Sequence, residues 1–119
     1  MKETPFKTKV EKFLTAHGAW FIKYWAGAKY TKEGIPDILA CINGRFYGLE
    51  LKGDDGTPRL LQLVKLRDIR KAGGIGLLLY PNDFKYFKEF IDEPLLASND
   101  FWYRKNIEYQ DYWFNKLKL

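Results

Sequence analysis

The dipeptide Asn43-Gly44 constrains this chain more than any other pair of residues. It separates two apolar, β-rich runs, Ile35 to Ile42 and Arg45 to Lys52, and Asn-Gly in that setting predicts a two-residue type I′ hairpin. The turn fixes a register. With Asn43 and Gly44 as the loop, Ile42 pairs with Arg45, Cys41 with Phe46, Leu39 with Gly48 and Asp37 with Glu50. Residues opposed in this way share a face, with Cβ atoms roughly 4.5–5.5 Å apart. Lys52 lies two residues beyond Glu50, so it shares their face about 6–7 Å further along the strand. Leu49 and Leu51 point the other way.

Like charges directly opposed on a sheet are destabilising, and two carboxylates this close raise the pKa of one of them unless a cation neutralises the pair. A hard divalent cation removes that penalty, because Mg²⁺ takes one or two carboxylates together with carbonyl oxygens and waters. Asp37, Glu50 and Lys52 are therefore a candidate metal site. The competing reading is a solvated strand face on which an Asp, a Glu and a Lys fall by chance.

The remaining elements follow from periodicity. Thr4-Pro5 reads as a cap followed by proline at the first helical position, with Phe6, Val10, Phe13, Leu14 and His17 at helical spacing, so a helix is predicted over 5–17. Lys7, Lys9 and Lys12 occupy its polar face. Gly18 ends it, and His17 takes a C-capping or surface role. Trp20 to Trp25 predicts a strand, followed by a polar loop over 26–34 that carries Lys29 and Lys32. After Gly53-Asp54-Asp55-Gly56, Thr57-Pro58 repeats the cap-plus-proline signal for a helix over about 58–72. Leu60, Leu61, Val64 and Ile69 are expected on its apolar side, Gln62 in its early turns, and Gly73-Gly74 at its end. Ile75 to Tyr80 is an unbroken apolar run, as for a strand buried on both faces. Asn82 or Asp83 should cap a short helix reaching Asp92, which Pro94 terminates. Trp102, Tyr109, Tyr112, Trp113 and Leu117 predict an aromatic-rich C-terminal helix, for which packing onto the core and a dimer interface are equal alternatives. Strand, helix, strand after the hairpin implies a parallel crossover. The expected fold is α/β: a mixed sheet, antiparallel around the hairpin and parallel after it, flanked by helices.

A chain of 119 residues accommodates one domain, with its core over about 3–92 and a helical extension over about 95–119. The net charge of +5 and pI near 9.2 suit a polyanionic partner. A single cysteine, Cys41, excludes an intrachain disulfide and a multi-cysteine zinc site, and its apolar surroundings predict a buried thiol. One histidine cannot build a histidine-rich metal site. No apolar run approaches the ~20 residues needed to span a bilayer, and Met1 to Pro5 lack the apolar stretch of a signal peptide, so a cytoplasmic protein with no membrane contact is expected.

Gly34-Ile35-Pro36-Asp37, Asn43-Gly44, Glu50-Leu51-Lys52, Gly56-Thr57-Pro58-Arg59-Leu60-Leu61-Gln62 and Ala72-Gly73-Gly74 together resemble the VRR-NUC branch of the PD-(D/E)xK nucleases. The likeness is strongest to the short stand-alone members of phages and prophages, and it runs from about Glu3 to Phe87. The tripeptide that names the family has no clear counterpart here.

The resemblance implies a restriction-endonuclease-like core and metal-dependent hydrolysis of DNA phosphodiesters. It points to a structure-specific enzyme similar to Holliday-junction resolvases, acting as a homodimer in a bacterial or phage-infected cell without a nucleotide cofactor. Carried over residue by residue, it makes Asp37, Glu50 and the Leu51 carbonyl ligands of Mg²⁺ or Mn²⁺, in a site holding one ion or two. Lys52 becomes a base or an electrostatic stabiliser, and Gln62 orients water or phosphate. Glu3, spaced from Phe6 and Val10 as the family's first-helix glutamate is, becomes a further ligand. Pro5 places Glu3 ahead of the expected helix, and Glu11 is the weaker alternative. Lys23, Lys29, Lys32 and Arg59 flank the site as candidate DNA contacts. Two rival functions are a non-catalytic nucleic-acid-binding module on the same fold and a sequence-specific restriction-type nuclease. Against the latter, the chain leaves little room for a base-reading domain.

Overall fold

The computed structural model describes residues 1–24 and 33–118, in the order α1 (Glu3–Ala16), β1 (Trp20–Lys23), β2 (Ile38–Ile42), β3 (Arg45–Leu51), α2 (Leu60–Lys71), β4 (Ile75–Leu79), α3 (Phe84–Asp92) and α4 (Ala97–Leu117). The strand predicted over Trp20 to Trp25 is shorter, ending at Lys23 with Tyr24 beyond it, while Trp25, Lys29 and Lys32 fall outside the described residues. The four strands form one mixed sheet in the order β1-β2-β3-β4, antiparallel except for the parallel β3–β4 pair.

The hairpin has the expected register. Ile42 pairs with Arg45, Cys41 with Phe46, Leu39 with Gly48 and Ile38 with Leu49. Asn43 at φ 51° and Gly44 at φ 79° supply the two positive dihedrals that a type I′ turn requires. The Asn43 amide also donates to the Ile91 carbonyl at 3.3 Å, tying the turn to the end of α3.

The sheet is covered on both faces. On one, Phe6, Val10 and Leu14 of α1 and Phe84, Phe87, Phe90 and Ile91 of α3 pack on Ile38, Ala40, Ile42, Tyr47, Leu49, Leu51, Leu77 and Leu79. On the other, Leu63 and Leu66 of α2 bury Leu78, flanked by Trp113, Phe114 and Leu117 of α4. Burial of β4 on both sides accounts for its continuous apolar run.

Several local expectations need correction. Helix α1 begins at Glu3, two residues before the predicted start, with Lys2 and not Thr4 as its N-cap. Pro5 falls within the first turn, where the missing N–H has no intrahelical partner to lose. Helix α2 begins at Leu60, later than predicted, because the Gln62 side chain accepts the Arg59 N–H at 2.9 Å and fixes the N-cap there. Its buried side is Leu63 and Leu66, whereas Leu60 and Leu61 are exposed. Asp83 is the N-cap residue of α3, as expected, but makes no side-chain capping bond; its carboxylate accepts the Tyr80 N–H at 2.9 Å and the Trp102 indole N–H at 3.3 Å. Cys41 is exposed, not buried. Strand alternation sends Ala40 and Ile42 into the core and Cys41 to the face that α2 leaves open, between Trp20 and Phe46.

Helix α4 spans 21 residues, and its buried residues are Asn99, Asn106 and Gln110. The last two face the outer edge of β4. Asn106 accepts the Leu78 N–H at 3.1 Å and donates to the Leu78 carbonyl at 2.8 Å. Gln110 donates to the Gly76 carbonyl at 2.9 Å and to Asn106 at 2.8 Å. Two amides one helical turn apart thus replace a missing strand partner, which blunts an edge that would otherwise invite pairing with another chain. Of the helix's rings, Trp102 and Tyr103 pack on Phe90, while Phe101, Tyr109 and Tyr112 are exposed.

Among the described residues no helix is long and apolar enough to cross a membrane.

Candidate functional site

Asp37 lies one residue outside the β2–β3 ladder, which stops at Ile38 and Leu49. Its carbonyl accepts the Tyr24 N–H at 2.8 Å, and its carboxylate Oδ2 accepts the Leu51 N–H at 2.8 Å. The side chain is thereby laid across the end of β3, next to Glu50. The loop before it is shaped by Gly34, which has φ 79° and lies so close to α2 that an added Cβ would stand 2.6 Å from Leu61 Cγ and 2.8 Å from the Leu61 carbonyl oxygen. Only glycine meets both conditions, so the first residue of Gly34-Ile35-Pro36-Asp37 sets the approach of the last.

Glu50 projects from the β3 face opposite to Leu49 and Leu51 and is only 2% exposed. Its Oε2 lies 3.4 Å from Lys52 Nζ. Its Oε1 is buried with no hydrogen-bond partner. Burial first, and then the neighbouring Asp37 charge, push the Glu50 carboxyl up to about 8, against the opposing pull of Lys52. Lys52 is itself nearly buried, and its N–H is anchored to the Leu79 carbonyl at 2.9 Å. The three residues read from the hairpin are therefore brought together.

Glu3 also reaches this region. Gly53, directly after Lys52, lies where an added Cβ would be 2.7 Å from the Glu3 nitrogen, and the Asp54 N–H donates to the Met1 carbonyl at 3.1 Å. The start of α1 is thus clasped against the end of β3. Glu3 is linked to Asp37 by Lys7, whose ammonium is 3.0 Å from Glu3 Oε2 and 3.2 Å from Asp37 Oδ1. Burial pulls the Lys7 ammonium down, but the two carboxylates outweigh it and leave the group raised. Lys7 was assigned to the solvated lysine face of α1. The signal for its different role is its i,i+4 spacing from Glu3, the spacing at which helical Glu-Lys pairs meet.

Glu11 lies further along α1 and pairs with Lys23 at 3.2 Å. Both line a cleft of about 470 Å³ with Thr4, Lys7, Thr8, Tyr24, Asp37 and Ile38. This cleft lies between α1 and the end of β1, with Asp37 in its lining. Gln62 is buried near the N-terminus of α2, but its Oε1 is committed to the Arg59 N–H, leaving its amide N–H groups as the available donors. Arg59 is exposed. Tyr80, which was not singled out from sequence, donates its hydroxyl to the Gly56 carbonyl at 2.7 Å and so pins the loop that follows Lys52.

A divalent ion fits the residues present to a defined extent. Among the described residues no three His, Cys, Asp or Glu side chains converge as a ready-made metal cluster. Mg²⁺ is commonly held by only one or two carboxylates with carbonyls and waters, and here Asp37 neighbours Glu50, whose Oε1 is buried without a hydrogen-bond partner. A buried polar atom without a partner requires a compensating group, and a hard cation is one whose chemistry matches carboxylate oxygen.

Comparison with known proteins returns no match to this chain, whether among family models, curated proteins or solved structures.

Proposed function

We propose that the chain is a metal-dependent DNA endonuclease with a restriction-endonuclease-like core, hydrolysing phosphodiester bonds in branched DNA. The observation that carries this reading is the buried, unpartnered Oε1 of Glu50 beside Asp37. A buried carboxylate with a like-charged neighbour is an expensive arrangement for a purely structural site, and it becomes favourable once a cation joins it. The resemblance of Gly34 to Gly74 to the VRR-NUC nucleases points the same way.

Asp37 and Glu50, with the Leu51 carbonyl, would hold Mg²⁺ or Mn²⁺. When bound, such an ion supplies Lewis-acid stabilisation of phosphate charge and makes a water more acidic. Lys52, held beside Glu50, presents its ammonium to the charge that develops on the phosphate. Gln62 offers amide N–H donors from the α2 N-terminus. Thr4, Thr8, Lys23 and Tyr24 line the path along which the flanking phosphates run. Contacts of this kind position DNA without reading its bases, so binding is salt-sensitive and weakly sequence-specific. Phe101, Tyr109 and Tyr112 are the exposed rings through which α4 would join a second copy.

The test is cleavage of four-way-junction, flap, single-stranded and linear duplex DNA with Mg²⁺, Mn²⁺ or EDTA. Metal-dependent cutting, strongest on the branched substrates, is the expected result. Folded protein that cuts none of them in either metal would end the enzyme reading. One observation favours a second reading: Lys7 and Lys52 already neutralise Asp37, Glu3 and Glu50 internally. A non-catalytic DNA-binding module would bind junctions with EDTA present and never cut them.

A further inference from the structure

We infer that Lys7 is a resident cation of the candidate centre: its ammonium fills the place between Glu3 and Asp37 that a second divalent ion would take. The chain then holds one divalent ion, on the Glu50 side of Asp37. The inference rests on the endonuclease reading above and goes beyond it in fixing the number of ions and the role of Glu3.

The acceptors of the site are already divided. Asp37 Oδ1 faces Lys7 at 3.2 Å, and Asp37 Oδ2 accepts the Leu51 N–H at 2.8 Å. Glu3 Oε2 faces the same ammonium at 3.0 Å. Glu50 Oε2 faces Lys52 at 3.4 Å, and Glu50 Oε1, in a carboxyl that neighbours Asp37, is buried with no donor to satisfy it. The acceptor that lacks a donor therefore lies on Glu50, whose salt bridge is to Lys52 and not to Lys7. A single ammonium spanning two carboxylates at hydrogen-bond distance occupies the ground a bridging metal ion would need. Two cations a few ångströms apart in a partly buried site repel strongly.

Rigid structure holds Lys7 there. Phe6 and Val10, on either side of it in sequence, are fully buried in the core, and the first turn of α1 is seated against Gly53. The ammonium comes from a packed helix, not from a loop, so its point of attachment is fixed relative to Asp37. Glu3 is then the partner that steadies Lys7 and is not a direct ligand of the ion. Lys7 acts as a positioning residue, with its charge standing in for the second metal.

Mn²⁺ binding to the full chain tests this, with free Mn²⁺ followed by electron paramagnetic resonance and melting temperature measured in parallel. Wild type should bind one ion, lost in Asp37→Asn. Lys7→Met should admit a second ion and show a larger rise in melting temperature with Mn²⁺. Lys7→Arg should keep one ion. Glu3→Gln should leave the affinity of the first ion within about threefold, whereas loss of a direct carboxylate ligand would weaken it about tenfold or more. Lys23→Met removes a cation of the same cleft that is paired with Glu11, so it should leave the number of ions unchanged.

Two ions in wild type overturn the inference. So does a Lys7→Met protein that binds one ion with unaltered affinity, or a Glu3→Gln protein weakened tenfold. In each of these cases Asp37-dependent binding still stands and the endonuclease reading survives. No Mn²⁺ bound by wild type or by Lys7→Met removes both. If circular dichroism finds Lys7→Met unfolded, Lys7→Arg and Glu3→Gln decide.

Discussion

The Asp37 carboxylate accepts the backbone N–H of Leu51 at 2.8 Å. One side chain thereby closes the end of the hairpin and stations a negative charge beside Glu50, joining a structural role to the candidate chemistry.

Replacement of Asp37 by Asn separates those roles. Asn retains an oxygen for the Leu51 N–H but loses the charge that faces Lys7 and any metal. Cleavage should fall at least about a hundredfold, the scale on which single electrostatic contributors to a transition state act. Stability without metal should change by less than about 1 kcal/mol, since relief of repulsion with Glu50 offsets the lost ion pair. A gel assay and a urea melt measure the two effects.

Lys52→Ala should reduce cleavage by a similar factor, about a hundredfold, while DNA affinity in Ca²⁺ changes little, because most affinity comes from phosphate contacts elsewhere. It should also drive the Glu50 titration further up, since the cation opposing its burial is gone. A variant that binds DNA much more weakly than wild type would assign Lys52 to binding instead.

The raised Glu50 carboxyl has a signed consequence. Its folded-state pKa, about 8, lies above the ordinary value of 4.5. Between those values the folded protein binds more protons than the unfolded one, so metal-free stability should fall as pH rises from about 5 to 8, by at most about 1.4 kcal/mol per pH unit. Glu50→Gln should flatten the slope, and Mg²⁺ should protect most strongly at the alkaline end. Melts at a series of pH values, with Mg²⁺ or EDTA, test the sign; stability that rises across this window in EDTA contradicts it.

Asn106→Leu should be among the most damaging substitutions distant from the site. It leaves the Leu78 N–H and carbonyl without partners at the sheet edge. Two unsatisfied buried backbone groups cost about 2–6 kcal/mol. The exposed β4 edge should then promote concentration-dependent association, visible by light scattering.

Gly34→Ala combines a positive φ with a collision against Leu61. It should lower stability by about 1–3 kcal/mol and reduce cleavage as well, because the displaced loop carries Asp37. An alanine variant as active and as stable as wild type would separate the loop from the site.

Local rules accounted for the turn and for the pairing from Ile38 to Leu49, since Asn43-Gly44 offers few alternatives to a type I′ turn and strand alternation then sets which residues share a face. Asp37, Glu50 and Lys52 were legible for that reason, as were the buried positions Phe6, Val10 and Leu14. Cap positions were less so: Thr4-Pro5 and Thr57-Pro58 look alike, yet one helix starts before its proline and the other after it. The competing backbone contacts, Phe6 to Lys2 and Arg59 to the Gln62 side chain, depend on where each segment packs.

Sequence by itself determined the register of the hairpin from Ile38–Leu49 to Ile42–Arg45 and the common face of Glu50 and Lys52, because both follow from interactions between near neighbours. Only the tertiary structure decided that Lys7 bridges Glu3 and Asp37, that Cys41 faces outward, and that α4 presents amides to the edge of β4. Each of these depends on elements meeting across long stretches of chain, and no periodicity within one element encodes which surfaces meet.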